Sequence, residues 1–332
     1  MQKDFEYKNH LSDIEHVTSI LTVGKEGAIP PPVVSVIMPV YNHPDFFRKS
    51  LLSVLNQKCD FEYEVVIVDN CHPDFQERNQ QIVEELYCDK IRYYINEKNI
   101  GGVGSENRGL QLARAEYITY CHDDDILYDD ALQTLFEEIK NCSCKDSAIF
   151  GDISAIDEND NPINRESVWD SFILKGRKRY KVSMYDFLIK NLSNGCGTLY
   201  NRDKLISVGG FCKDYIPCPD YALNVKYTQV NGAYHIRKKT LRYRVSPQGD
   251  SSSAYKYIVG MDQTIKFSIL KTLPAPTTFF KFLIRANIRV SNYHLYNEFD
   301  KVKPSAVNIF FERVVNRIWI IVAIFLKRSR SS

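Results

Sequence analysis

The sequence predicts an α/β fold: a mostly parallel sheet with helices on both faces, followed by a helical C-terminal region. Three observations predict it. Between residues 33 and 152, short apolar runs alternate with helical stretches. The runs are apolar throughout rather than at every second position, which marks strands buried on both faces. Their repeated strand–helix–strand order joins parallel neighbours, because a crossover helix returns the chain to start the next strand in the same direction.

The elements follow in order. "VVSVIMPV" (33–40) is the first buried strand. "HPDFFRKSLLSVLNQ" is helical, with Phe47, Leu51, Leu52 and Leu55 on one face. "YEVVIVDN" (63–70) is the second strand, a polar helix follows over 75–88, and "IRYYIN" (91–96) is the third. "GSENRGLQLARA" (104–115) is helical, "EYITYC" (116–121) is a strand, and a helix over about 129–141 leads to "SAIFGD" (147–152). Before all of these, "GAIPPP" (27–32) reads as a linker, since consecutive prolines nucleate neither helix nor sheet interior. The expected organisation is an extension and linker (1–32), a catalytic domain (33–252) and a helical region (253–332). The catalytic domain divides into halves at 33–152 and 153–252, the second mixing short strands, loops and helices.

Composition excludes several classes. Of 332 residues, 44% are hydrophobic and 25% charged, as in an ordinary globular protein. A formal net charge of +2 argues against nucleic-acid binding. The nine cysteines have neither zinc-like spacing nor a disulfide framework, so reduced thiols are expected. The first 30 residues lack the apolar core of a secretory signal. No run reaches the roughly 20 apolar residues that span a bilayer.

In open parallel sheets, ligands sit beyond the carboxyl ends of the strands. The polar residues there are Tyr41 and Asn42, Asp69 and Asn70, Asn99 to Gly104, and Asp123 to Asp125. The last group poses the chemical question, because "CHDDD" places three mutually repelling carboxylates at the end of a buried strand. A divalent ion with a taste for oxygen ligands, Mg²⁺ or Mn²⁺, answers it. Helix capping accounts for Asp129 and Asp130 but needs only one side chain, not three. His122 reads as a hydrogen-bonded neighbour or a ligand. The glycines of "NIGGVGSENRG" fail the dinucleotide fingerprint, with Asn107 where the third Gly belongs, and no P-loop motif exists.

"VSVIMPVYN", "EVVIVDN", "NIGGVGSENRGLQLARAEYITYCHDDD" and "GTLYNRDKLISVGGF" followed by "PDY" resemble, in order and spacing, the family 2 glycosyltransferases. The resemblance runs from about 33 to 245. It implies a GT-A fold with a nucleotide-sugar-binding half (33–152) and an acceptor-binding half (153–252), an inverting mechanism and a nucleotide-sugar donor, usually a UDP-sugar. It implies Asp124 as the metal ligand and Asp123 at the ribose or metal shell. It further implies Tyr41, after Pro39 of the first strand, stacked on the base, Asp69 reading the base edge, and Asn107 near the donor. Asp220, ahead of an amphipathic helix, matches the family's catalytic base, although Asp beside Pro219 is also a good helix cap; Asp214 is the fallback. Asn194, Gly195 and Gly197 match the region facing the acceptor sugar. The chain departs from the pattern at His122 (often Asp), Glu106 (often Arg) and Ser246 (often a metal-binding His). Arg244 reads either as a phosphate contact or as a surface ion pair.

"IFFERVVNRIWIIVAIFLKRSRSS" (309–332) joins an apolar run to basic flanks, as in helices that lie in an anionic headgroup layer. Peripheral contact at the inner face of the cell membrane would suit a polyprenyl-diphosphate-linked acceptor in bacterial polysaccharide synthesis, with "KGRKRYK" (175–181) near its diphosphate. The alternative is a catalytically weak nucleotide-sugar-binding protein in a glycan assembly complex. A nucleotidyltransferase would need a glycine- and basic-rich loop after the first strand, which "PVYNHPDFF" lacks.

Overall fold

The computed structural model describes residues 4–27, 31–143, 145–163, 178–188, 191–193, 195–245 and 250–273, and for 250–256 the backbone alone. The first half carries β1 (Ser19–Val23), β2 (Val34–Val40), α1 (Pro44–Leu55), β3 (Tyr63–Asp69), α2 (Gln76–Glu85), β4 (Ile91–Asn96), α3 (Gly101–Leu112), β5 (Tyr117–Tyr120), β6 (Ile126–Leu127) and α4 (Ala131–Lys140). The second carries β7 (Ala148–Ile156), β8 (Pro162–Ile163), β9 (Arg179–Lys181), β10 (Thr198–Asn201), α5 (Arg202–Val208), α6 (Pro219–Asn231), β11 (Ala233–Arg244) and α7 (Asp250–Thr272).

One sheet runs through both halves in the order β1-β4-β3-β2-β5-β10-β7-β11-β6, with β8 on β7 and β9 on β11. Strands β4, β3, β2 and β5 are parallel, as are β7 and β11. β10 is antiparallel to both β5 and β7 and so joins the two halves. All seven residues of β3 and six of the seven in β2 are buried, which is why those runs carry no polar face. Half-buried Pro39 is the exception. β2 pairs with β5 only as far as Ile37–Tyr120. A proline two residues later therefore loses no ladder bond on that side.

Helix α3 begins at Gly101, three residues before its expected start. Asn70 accepts from the Ile100 amide, and Gly101 takes φ +75, turning the chain into the helix at once. Close packing of α3 on β2 needs Gly109, where a Cβ would lie 2.1 Å from Ile37 Cγ2.

At the amino ends of the strands, buried Glu64 ties the layers together. It accepts from Ser35 Oγ (2.6 Å), Arg92 Nε (3.1 Å) and Arg114 Nε (2.9 Å). Burial alone would push this carboxyl up, but these donors outweigh burial and hold it below its ordinary value.

Residues 4–23, which the sequence left without a role, join the sheet. β1 pairs antiparallel with β4 as an edge strand, and Phe5 is buried. Arg108 of α3 donates to the carbonyls of Ile14 and Val17, and Gln111 to that of Leu11. The segment 309–332, Asn194, Ser246 and residues 175–177 lie outside the described residues. No described helix is long and apolar enough to cross a membrane.

Candidate active site

The carboxyl ends of β2, β3 and β5 meet at one edge, and the chain from Cys121 to Asp125 runs across it. This stretch leaves the sheet at the end of β5 and re-enters it as β6 beside β11. The three aspartates therefore form a turn between strands from opposite halves, and each has a different task. Asp123 Oδ2 accepts the amide of Tyr41 at 3.0 Å, fastening the turn to the end of β2. Asp125 Oδ1 accepts the amide of Arg244 at 3.0 Å, fastening it to the end of β11. Asp124 alone is half-exposed, and its carboxylate makes no hydrogen bond or ion pair among the described residues.

Positive charge under the turn comes from Arg244, which is buried rather than superficial. Its Nε donates to the Asp124 carbonyl (2.7 Å) and Nη1 to the Asp157 carbonyl (2.8 Å), while Nη2 lies 2.7 Å from Asp160 Oδ1. The guanidinium also lies 4.4 Å from the centroid of Phe46. Arg244 thus holds the backbone of the turn and is turned away from the phosphate contact considered for it. Relief of the carboxylates is incomplete. Burial, and then the neighbouring Asp124, push Asp123 up to about 6 and Asp125 up to about 8.

His122 points the other way. Its Nε2 lies 3.1 Å from Glu106 Oε1 on α3, and Cys196 is also hydrogen-bonded to the ring. Two of the three departures noted in the sequence, Glu106 and His122, are therefore partners. A second group, His122, Asp125 and Cys196, has ligand atoms within 4.8 Å of one another.

Asp220 sits half-buried in the first turn of α6. Burial, above all else, raises its carboxyl to about 6, and the negative charge of Glu106 adds to this. The Tyr221 amide, Asn191 Nδ2 (2.8 Å from Asp220 Oδ2) and His122 act in the opposite sense. Gly195 lies against it, since a Cβ there would sit 3.7 Å from Asp220 Cβ and 3.6 Å from the Phe211 ring. The structure thus brings Asp220, Gly195, the His122–Glu106 pair and the aspartate turn into one neighbourhood.

Other expected contacts fall differently. Asp69 is fully buried: Oδ1 accepts the Cys71 amide (2.9 Å), and Oδ2 accepts Asn79 Nδ2 (3.0 Å) and the Tyr93 hydroxyl (2.7 Å). It pins the end of β3 instead of presenting a carboxylate edge to solvent. Asn107 is also buried and spends its amide on the backbone of Phe211, donating to its carbonyl at 2.9 Å and accepting its N–H at 2.8 Å. It clamps α3 to the segment that follows α5, and both of these bonds are made inside the protein. Gly197, at φ +63, faces β11, where a Cβ would lie 2.9 Å from Thr240 Oγ1, so close packing accounts for it. Asp214 is exposed and pairs with Lys8.

Tyr41 is half-buried beside the turn. Its ring packs on His72 at 4.6 Å, and His72 on Phe75 at 4.5 Å. Sequence reasoning passed over His72 and Phe75. Their signal was two aromatic rings in the loop directly after a buried strand.

The family model described as "Glycosyl transferase family 2" matches residues 35–208, more than half of the chain. This chain belongs to glycosyl transferase family 2. Among curated relatives, an uncharacterized glycosyltransferase of Rickettsia felis is 30% identical over 200 residues, covering 60% of this chain and 32% of that protein. The GalNAc(5)-diNAcBac-PP-undecaprenol beta-1,3-glucosyltransferase of Campylobacter jejuni is 29% identical over 179 residues, covering 52% of this chain and 53% of that protein. The chain thus spans about a third to a half of the length of these two relatives. Residues 1–349 of Staphylococcus aureus TarS, solved with UDP-GlcNAc, superpose with a TM-score of 0.58 at 18% identity, covering 80% of this chain and 73% of that one. At that identity the likeness concerns the fold, which is GT-A.

Proposed function

We propose that this family 2 protein is an inverting glycosyltransferase. It would move a sugar from a nucleotide-sugar, a UDP-sugar by preference, to a hydroxyl of a glycan or lipid-linked saccharide in bacterial polysaccharide synthesis. One observation carries the reading: a half-exposed, unpaired Asp124 on a turn anchored to both halves, with half-buried Asp220 close by on the acceptor half.

The residues fit a divalent cation. Asp124 offers a hard oxygen ligand with no internal competitor, which suits Mg²⁺ or Mn²⁺. Bound there with the donor diphosphate, the ion neutralises charge on the leaving group. The chain's own residues do the rest. Tyr41, backed by His72 and Phe75, offers the aromatic surface for a base. Asp220 takes the proton of the acceptor hydroxyl as that oxygen attacks the anomeric carbon from the face opposite the diphosphate. Its raised carboxyl makes it a better base than an ordinary aspartate while leaving it ionised at neutral pH. The Campylobacter relative, named for an undecaprenyl-diphosphate-linked substrate, supports a lipid-linked acceptor. TarS bound to UDP-GlcNAc supports the donor class.

The test is a screen of UDP-Glc, UDP-Gal, UDP-GlcNAc, UDP-GalNAc and GDP- and dTDP-sugars, each with a lipid-diphosphate saccharide, with Mn²⁺ and with chelator. Product should form from one donor with metal only, with inverted anomeric configuration. Hydrolysis and transfer absent from every combination would overturn the reading.

A further inference from the structure

We infer that His10, Cys212 and Asp214 form a second metal site, distinct from Asp124, that takes a borderline divalent ion such as Zn²⁺ and staples the N-terminal segment to the acceptor half. The three offer an imidazole nitrogen, a thiol sulfur and a carboxylate oxygen, all within 4.8 Å of one another. Nitrogen, sulfur and oxygen together are the ligand set of zinc rather than of magnesium or calcium.

The surroundings match such a site. His10 Nδ1 lies 2.8 Å from Asp13 Oδ2. A carboxylate on one ring nitrogen places the proton there and turns the lone pair of the other outward, the usual arrangement behind a metal-bound histidine. That other nitrogen, Nε2, is buried, makes no hydrogen bond of good geometry, and lies 3.3 Å from Asp214 Oδ1. With the proton on Nδ1, the Nε2 lone pair and Asp214 Oδ1 are both free to ligate one ion; with the proton on Nε2, the two pair directly. Cys212 is buried, and burial pushes its thiol up; the backbone N–H groups of Asp214 and Lys8, which its sulfur receives, act in the opposite sense without reversing it. The nearby lysines leave the ligand atoms open: Lys8 holds Asp214 by Oδ2, not Oδ1, and Lys213 holds Asp13. Binding Zn²⁺ releases one proton from the Cys212 thiol, and the two anionic ligands balance the ion's charge. Asp214 is exposed, so a water has access to the fourth position.

The site has a structural purpose. Cys212 follows Phe211, whose ring meets Tyr120 edge-on at 5.1 Å, and Asp220 lies eight residues on. An ion held partly by His10 fixes this stretch from outside. Spacing rules for zinc could not show it, because His10 and Cys212 are 202 residues apart.

The experiment titrates the full chain, purified in chelator and kept reduced, with Co²⁺. A near-ultraviolet thiolate-to-cobalt charge-transfer band should reach its plateau at one equivalent, and Zn²⁺ should abolish it. Cys212→Ser should remove the band, Asp214→Asn should weaken binding at least tenfold, and Asp124→Ala should leave it unchanged. Asp214→Asn, at an exposed side chain, serves if Cys212→Ser does not fold. No band in the wild type, as expected if His10 is simply an imidazolium between two aspartates, overturns the site. So does a band that survives both substitutions.

Discussion

Asp220 is placed by burial in a state that costs stability and suits the proton transfer proposed for it. Its carboxyl is raised to about 6, chiefly by burial. A raised carboxyl in the fold favours the protonated form, so its contribution to stability is fully present below the unfolded value and lost as pH rises through about 6. Asp220→Asn, neutral at every pH, should therefore melt higher than wild type above pH 6, with the gap closing towards pH 4. The same substitution removes the proposed base and should lower kcat by about 10²–10⁴-fold with little change in KM. Wild-type kcat should climb through about pH 6 and then level off. A variant that keeps its turnover would remove Asp220 from the mechanism. At this scale the sequence was legible where residues act through their own local pattern. Three consecutive acids drew attention to the turn, whereas Asp220 stood out only through the family resemblance, since Asp beside Pro219 reads equally as a helix cap. The sequence was silent where a role depends on a distant partner. Arg244 read as a phosphate contact or a surface ion pair because Asp124 and Asp157, whose carbonyls it holds, lie 120 and 87 residues away. Asn107 read as a donor contact because nothing near it in sequence shows Phe211.

Among the elements, β2 to β5 were legible because their residues are buried on both faces and leave unbroken apolar runs. β1 was not, because alternate residues of "SILTV" are exposed and edge strands carry no run to detect. The place of β10 between β5 and β7 was not legible either, since it is set by pairing with strands far off in the chain. What locks β2, β3, β4 and the end of α3 into one layer is Glu64, with Arg92 almost as buried as the carboxylate itself. Glu64→Gln keeps the shape but strips Arg92 of its closest charge partner, leaving a buried guanidinium poorly compensated. The expected loss is about 3–5 kcal/mol in urea unfolding. A lowered carboxyl gives stability that is present above its unfolded value and lost as pH falls through its folded value. The gap between wild type and Glu64→Gln should therefore narrow in acid. A gap that is constant with pH would mean that packing, not charge, sets the loss.

For the molecule as a whole, the aspartate turn is the joint. Asp123 holds it to β2, Asp125 and Arg244 hold it to β11, and Asp124 faces outward between them. Two consequences follow, and they separate support from chemistry. Arg244→Gln should loosen the joint, costing about 2–3 kcal/mol through a lost buried charge-assisted hydrogen bond and the contact with Phe46. Activity should fall with it, since the turn would no longer hold Asp124 in place. Asp124→Ala touches no anchor and should melt within a degree or two of wild type, yet lose metal-dependent donor binding. The readout is thermal melting with UDP and Mn²⁺ together. Ligand that binds only the folded chain stabilises it by about 2.7 kcal/mol at a hundredfold excess over Kd. Wild type should show that upward shift with UDP plus Mn²⁺ and much less with UDP plus chelator. Asp124→Ala should show the small shift under both conditions, because the contact proposed for Tyr41 with the base is kept while the ligand proposed for the ion is gone. If Asp124→Ala kept the full metal-dependent shift, the ion would be held elsewhere on the chain, with His122, Asp125 and Cys196 the next group to replace.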